Sequence, residues 1–431
     1  MLSVCIPHAL PVASIRLYMM SVDMDKKLTV AIAVQKFPNV LQTYILNHIT
    51  TLCALGVEIL VIARKRGDTG KLPPEIGEFR LLEKTHYTGA GLKSILGEFL
   101  SLPLRNRFYR DAVIRILKSG SWRQYGWPYF IKEFIRVKTH ALCNFDILHS
   151  HTLSTTYIYL FLHDLFATPI VTTFHGKEPR GSINLAVDKA RLVFQKGDIF
   201  LVNSEYSRKE LLEMGCPPGK IHIIPQGTRL EDFPFRPRKI DTAKKIRLLT
   251  VGRLSIEKGH HIAIQAVARL QGKYPTLEYH IVGDGPARTH LQSLINDLGL
   301  NDRIILHGLK IGTELQSCYA QAHIFVLPSI YTNDGHLVET QGVVLQEAQA
   351  CGIPVIGSRT GGIPDVIEDG ITGMLFDESN TDQLAEKISM LVDEPEVYRR
   401  LIHGGRKAVE ARFDTHVVNS NMIGLYRKIL A

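Results

Sequence analysis

Leu248-Leu249-Thr250-Val251-Gly252-Arg253-Leu254-Ser255-Ile256-Glu257-Lys258-Gly259 is the stretch that decides the fold class. An apolar run of strand character enters a loop bounded by glycines and carrying two cations. The residues after it place Ile262, Ala266 and Leu270 at helical spacing. Strand, glycine, cations, glycine and helix together make a phosphate site. Arg253 can fork onto phosphate oxygens, and Lys258 is a mobile point charge beside a helix N-terminus that already favours an anion. Two cations on an ordinary surface loop would read the same in isolation, so the weight falls on what surrounds them.

Downstream, Ile281-Val282-Gly283-Asp284-Gly285-Pro286 is a strand followed by a glycine turn that lets backbone come close to a ligand, and Leu306-His307-Gly308-Leu309 follows another strand. Glu339 and Glu347 come next, ahead of Ala348-Gln349-Ala350-Cys351-Gly352-Ile353-Pro354. The pattern predicts a helix that starts near Gly342 or Val343 and stops at Gly352. Eight helical steps separate the two carboxylates by about 12 Å, so they cannot share one proton. They suit two parts of one long ligand. In a sugar nucleotide, one would accept from sugar hydroxyls and the other from ribose hydroxyls, with the helix N-terminus facing the diphosphate. A helix-surface role for Glu347 fits poorly with its neighbours Val344, Leu345, Ala348 and Cys351.

Further outward, short apolar runs alternate with amphipathic stretches in two series, as βαβ units do. The first holds Leu28–Val34, Glu58–Ala63, Ile147–Ser150, Ile170–Phe174, Ile199–Asn203 and Ile221–Pro225. The second holds Ile246–Val251, Leu277–Val282, Arg303–His307, Ile324–Leu327 and Pro354–Gly357. Buried parallel sheets expect such continuous strands and bind ligands beyond their carboxyl ends. The 431 residues exceed what one core usually organises. The expected division is an N-terminal extension (1–26), a first Rossmann-like domain for the acceptor (27–230), a linker (231–245), a second Rossmann-like domain for the donor (246–410), and a helix (411–431) that crosses back to the first domain. In the extension, Pro7, Pro11 and Arg16 and the lack of a basic start argue against a signal peptide, and Met24 suits a natural start better.

The order of these motifs resembles glycosyltransferase family 4, enzymes of the GT-B fold. The matching residues are Gly252-Arg253, Glu257-Lys258-Gly259, Gly283-Asp284-Gly285-Pro286, the pair Glu339 and Glu347, Gly361-Gly362-Ile363-Pro364, Asp369-Gly370 and Thr372-Gly373. The resemblance implies an α/β fold of two Rossmann-like doubly wound domains facing a central cleft. It also implies a retaining transfer from a nucleotide-sugar donor with no metal or other cofactor. Arg253 and Lys258 would bind the diphosphate, Glu339 the transferred sugar and Glu347 the ribose, with Gly252, Gly283, Gly285, Leu309, Gly342 and Val343 completing the donor site. The only D-x-D triplet, Asp23-Met24-Asp25, precedes the first strand, where a metal-binding carboxylate pair has no place.

In the first half, Val171-Thr172-Thr173-Phe174-His175 is a strand ending in a histidine that similar enzymes set against the reacting sugar, which makes His175 a candidate catalytic residue. His149 and His151 end the preceding strand, and His149 reads as structural. Two departures from the family stand out. Lys36-Phe37-Pro38-Asn39-Val40-Leu41-Gln42-Thr43-Tyr44 stands where many relatives have a glycine-rich loop and resembles instead the Phe-Pro loop of exopolysaccharide and colanic-acid-type transferases, with Leu41-Gln42 in place of the usual serine and glutamate. Pro225-Gln226-Gly227-Thr228-Arg229 places arginine where an acid is usual. Formal net charge is +9, and nine Lys or Arg against two acids lie between Arg105 and Lys138, interleaved with both tryptophans. This segment suits peripheral contact with an anionic membrane and a polyprenyl-linked saccharide acceptor, hence the cytoplasm and the cytoplasmic face of the inner membrane. A solvated basic face with inward aromatics explains it equally well.

Six scattered cysteines with no C-x-x-C pair exclude a zinc knuckle or a disulfide framework. No apolar run approaches the ~18 residues a membrane-spanning helix needs. The alternatives to a transferase are a GT-B phosphorylase, a sugar-nucleotide epimerase and, on charge alone, a nucleic-acid-binding protein. The last has no recognition motif to support it, so nucleic acid is not expected as a partner.

Overall fold

The computed structural model describes residues 27–39, 43–68, 72–87, 114, 123, 145–176, 187–332 and 338–431. Two all-parallel sheets organise them. In the first, β1 (Thr29–Phe37), β2 (Glu58–Arg66), β3 (Thr85–Tyr87), β4 (Ile147–Ser150), β5 (Ile170–Phe174), β6 (Ile199–Val202) and β7 (Ile221–Ile223) lie in the order 3-2-1-4-5-6-7. In the second, β8 (Ile246–Val251), β9 (Leu277–Val282), β10 (Ile304–Leu306), β11 (Ile324–Leu327), β12 (Val355–Ser358) and β13 (Met374–Phe376) lie in the order 10-9-8-11-12-13. Each order reverses once, at β1/β4 and at β8/β11, and a doubly wound sheet opens its ligand crevice at that point. The loops after β1, β4 and β5 therefore face one crevice and those after β8, β9 and β11 the other.

The central strands are buried on both faces: Val30, Ala31 and Ile32 are fully covered, as are Leu248, Tyr279 and Ile281. Residues with such continuous apolar patterns need helices on both sides of the sheet. The predicted stripe of Ile262, Ala266 and Leu270 lies on helix His260–Leu270 and packs into the second core. Strands β3 and β13 fall outside the sequence reading. β1 also runs three residues beyond Val34, with Lys36 and Phe37 paired to Lys65 and Arg66.

Helix Thr415–Leu430 closes the molecule. It packs against the first sheet's helix Thr43–Ala54, placing Met422, Ile423 and Tyr426 in one core with Ile49 and Leu52. The crossing begins at a parallel bridge between Thr228 and Asp414, where the chain passes between the domains a second time beside its first passage. Among the described residues no helix is long and apolar enough to cross a membrane. The extension 1–26 lies outside the described residues, as does all of the basic segment 105–138 except Ile114 and Arg123.

Candidate active site

The loop after β8 is held open by its own glycines. Gly259 has φ 62°, and a Cβ on it would lie 1.8 Å from the Pro328 carbonyl oxygen, so only glycine lets the helix begin there. His260 Nε2 bonds the Arg253 carbonyl at 2.9 Å and fixes the loop from below. Gly283, at φ 143°, would clash at 1.8 Å with the Gly252 carbonyl, and Gly285 would meet the Leu254 backbone at 2.5 Å. The sequence reading gave that space to a ligand. The structure fills it with the neighbouring loop, so these glycines shape the crevice wall through loop packing.

Lys258 Nζ lies 2.5 Å from Glu339 Oε2, both side chains being mostly buried. Glu339 Oε1 accepts from the Gly342 amide at 3.1 Å. Helix Val343–Ala350 starts at Gly342, whose φ of 88° suits glycine. Burial alone would push the Glu339 carboxyl up. The Lys258 ammonium and the Gln341 and Gly342 amides outweigh it and hold the carboxyl below its usual range. The diphosphate cation and the sugar carboxylate of the sequence reading thus form one ion pair at a helix N-terminus. Arg253 is exposed and has no ion pair among the described residues, and Leu309 is 70% exposed. Both remain free to meet a ligand. Val343 lies in the first turn of the same helix.

Glu347 lies on the helix itself, in a hydrogen-bonded setting of its own. Its Oε2 accepts from Tyr319 Oη at 2.5 Å, and Tyr319 is fully buried. Burial raises the Glu347 carboxyl to about 7, with the Tyr319 hydroxyl opposing the rise and the negative Asp232 adding to it. Beside it, Asp232, Arg236, Thr313, Tyr319 and Cys351 line a cavity of about 320 Å³.

In the facing domain, β4 and β5 deliver a cluster of histidines. His149 is fully buried, with Nδ1 2.5 Å from Tyr426 Oη and Nε2 2.7 Å from Thr173 Oγ1, a satisfied structural residue. His175 is half-buried, its ring 4.6 Å from that of Tyr44 and parallel to that of His151. His175 Nε2 bonds His151 Nδ1 at 3.2 Å, and His175 Nδ1 bonds Gln226 Nε2 at 3.0 Å. With both ring nitrogens engaged inside the protein, the direct hydrogen bond to a donor expected of His175 requires exchange with one of these partners. His48, His149 and His151 bring ring nitrogens within 4.8 Å of one another, the only potential metal-holding cluster among the described residues. His149 has already committed both nitrogens, so the set does not fit a metal well.

The two halves meet around Glu339. Gln226 donates its amide N–H to Gln341 Oε1 at 2.8 Å, and Gln341 Nε2 donates back to the Gln226 carbonyl at 3.0 Å. Asn203 bonds Thr340 at 3.1 Å. A Cβ on Gly176 would lie 2.6 Å from the Thr340 side chain, so the turn after His175 abuts the loop that carries Glu339. Sequence reasoning missed Gln341 and Tyr319. Gln341 could have been suspected as a polar residue between Glu339 and a helix-opening glycine, whereas nothing local marks Tyr319. Arg229, unusual for the family, pairs with Glu75 at 2.7 Å and reaches Glu231 and Asp232. It ties the linker to the first domain.

Two doubly wound domains, with a cation–carboxylate pair on one wall of the cleft and a histidine turn on the other, define the GT-B class. Residues 41–232 match the model described as glycosyltransferase family 4 and residues 232–408 the one described as glycosyl transferases group 1. The chain is 31% identical to the alpha-D-kanosaminyltransferase of Streptomyces kanamyceticus over 69% of its own length and 79% of that protein. It is 28% identical to a colanic acid biosynthesis glycosyltransferase, WcaL, of Escherichia coli, over 91% of this chain and 98% of that one. The amylovoran biosynthesis glycosyltransferase AmsK of Erwinia amylovora is 26% identical, with the same shares covered. Among solved structures, Anabaena HepE in complex with UDP superposes with a TM-score of 0.69 at 18% identity, covering 93% of this chain and all of that one. The chain belongs to the GT-B glycosyltransferases of family 4.

Proposed function

We propose that the protein moves a sugar, of hexose type, from a nucleoside-diphosphate sugar to a saccharide acceptor with retention of configuration and without a metal. The observation that carries this reading is the Lys258–Glu339 ion pair at the N-terminus of helix Val343–Ala350. A departing diphosphate needs cations and amide dipoles, and Lys258, Arg253 and that helix end supply both. Glu339 holds Lys258 in place and offers carboxylate oxygens to sugar hydroxyls, while Glu347, further along the helix, suits ribose hydroxyls. His175 forms the opposite wall near the sugar. As the leaving phosphate oxygen accepts the acceptor's proton, the new bond forms on the face the nucleotide leaves. The names of WcaL and AmsK favour exopolysaccharide synthesis. A lipid-linked acceptor and peripheral membrane contact through 105–138 extend the proposal.

The test is a screen of UDP-, GDP- and ADP-sugars with EDTA present, beside Glu339→Ala and Lys258→Ala. Binding or slow hydrolysis of one donor, lost in both variants, supports the reading. Activity restored only by added divalent cation overturns metal independence, and no donor binding overturns the transferase site.

A further inference from the structure

Four side chains form one unbroken hydrogen-bonded line: Gln226, His175, His151 and His48. Gln226 Nε2 lies 3.0 Å from His175 Nδ1, His175 Nε2 lies 3.2 Å from His151 Nδ1, and His151 Nε2 lies 3.2 Å from His48 Nδ1. Burial lowers all three imidazoles far below their usual range, His175 to about 4 and His48 to about 3, the latter also through neighbouring His175. All three are therefore neutral near pH 7, and a neutral imidazole donates from one nitrogen and accepts at the other. One donor at the end of the line then dictates every proton in it. The Gln226 amide donates to His175 Nδ1, so His175 carries its proton on Nε2 and donates to His151. His151 in turn carries its own proton on Nε2 and donates to His48. The line ends at His48 Nε2, buried with no partner among the described residues.

We propose that Gln226 is a positioning residue of the transfer reaction, setting the tautomer and ring orientation of His175 through its side-chain amide. The inference rests on the transferase reading above and deepens it. Gln226 stands in the motif that departs from the family pattern. Its backbone is clasped by Gln341, two residues after Glu339. One residue therefore joins the histidine of the first domain to the loop that carries the sugar-site carboxylate in the second. Because the clasp uses only the Gln226 backbone, replacing the side chain leaves the domain contact in place and isolates the effect on His175. A side chain of equal shape that can only accept, glutamate, reverses the line and puts the His175 proton on Nδ1.

The decisive measurement is the pair of imidazole ¹⁵N signals of His175 in full-length protein labelled at histidine, for the native chain, Gln226→Glu and Gln226→Met. The signals are assigned by their loss in His175→Gln. The native protein is expected to show a protonated Nε2 and a free Nδ1, and Gln226→Glu a protonated Nδ1. Both variants should unfold at the native temperature and lose kcat on the order of 10-fold or more through misplacement of the ring, with donor KM little changed. A native Nδ1-protonated His175, a signal unmoved in Gln226→Glu, or an unchanged kcat in both variants would overturn the proposal. The tautomer is read without turnover, so a protein that binds no nucleotide sugar yet shows the expected ¹⁵N pattern would sink the transferase reading alone.

Discussion

If Glu347 binds the ribose as proposed, donor affinity should depend on pH by an amount that follows from its surroundings. Burial, together with the charge on Asp232, raises its carboxyl to about 7 in the free protein, despite the Tyr319 hydroxyl. On the proposed role of Glu347, ribose hydroxyls would donate to its ionised form, so the competent fraction would set the apparent affinity. With a pKa near 7, roughly a tenth of the molecules are competent at pH 6 and roughly nine-tenths at pH 8, so the apparent dissociation constant should fall about tenfold between them. At pH 7 each binding event should release about half a proton. The assay is titration calorimetry from pH 6 to 8 in buffers of different ionisation enthalpy, using the nucleotide sugar selected by the screen. The intact sugar nucleotide is required because its diphosphate, esterified at both ends, does not titrate in this window. Glu347→Gln should bind more weakly and without the pH slope. An affinity flat across the window, or proton uptake on binding, would refute the reasoning.

The same group gives a stability prediction. A carboxyl with a raised folded pKa contributes stability below its unfolded value of 4.5, and that stability is lost as pH rises toward 7. Glu347→Gln should therefore raise the melting temperature at pH 8 relative to the native chain, more than at pH 5, in thermal scans. Lys258→Ala should reduce kcat by roughly 10²–10³-fold, the effect of losing one preorganised charge donor, with unchanged circular dichroism. Gly283→Ala forces a Cβ against the Gly252 carbonyl. It should lower the urea midpoint and, by displacing the Arg253 loop, weaken donor binding as well. Tyr426→Phe strips His149 Nδ1 of its partner in a buried setting and should cost about 1–3 kcal/mol in denaturant unfolding, without altering donor affinity.

The two series of parallel strands were legible because strands buried on both faces announce themselves as continuous apolar runs, while their order across each sheet was not. Lys258, Glu339 and Glu347 were named from their place after strands and at a helix start together with the family resemblance. That Lys258 and Glu339 share an ion pair could not, because 81 residues separate them and only the packing of two loops brings them together. The glycines were found for a reason the structure changes: Gly283 and Gly285 yield to the carbonyls of Gly252 and Leu254, a tertiary contact invisible in a local turn pattern. Gln226 was visible as an oddity, but its meaning depends on His175, 51 positions away.

Helix Thr415–Leu430 has a consequence for biosynthesis. Tyr426 and Met422 fill the core formed by Ile49, Leu52 and Val61, yet they are translated after the whole of the second domain. Domains generally fold as units in order of synthesis. Until the ribosome has finished the half made second, that core lacks Met422, Ile423 and Tyr426, which leaves the apolar face of helix Thr43–Ala54 uncovered where they pack. An apolar face left open in this way favours premature association of the nascent chain.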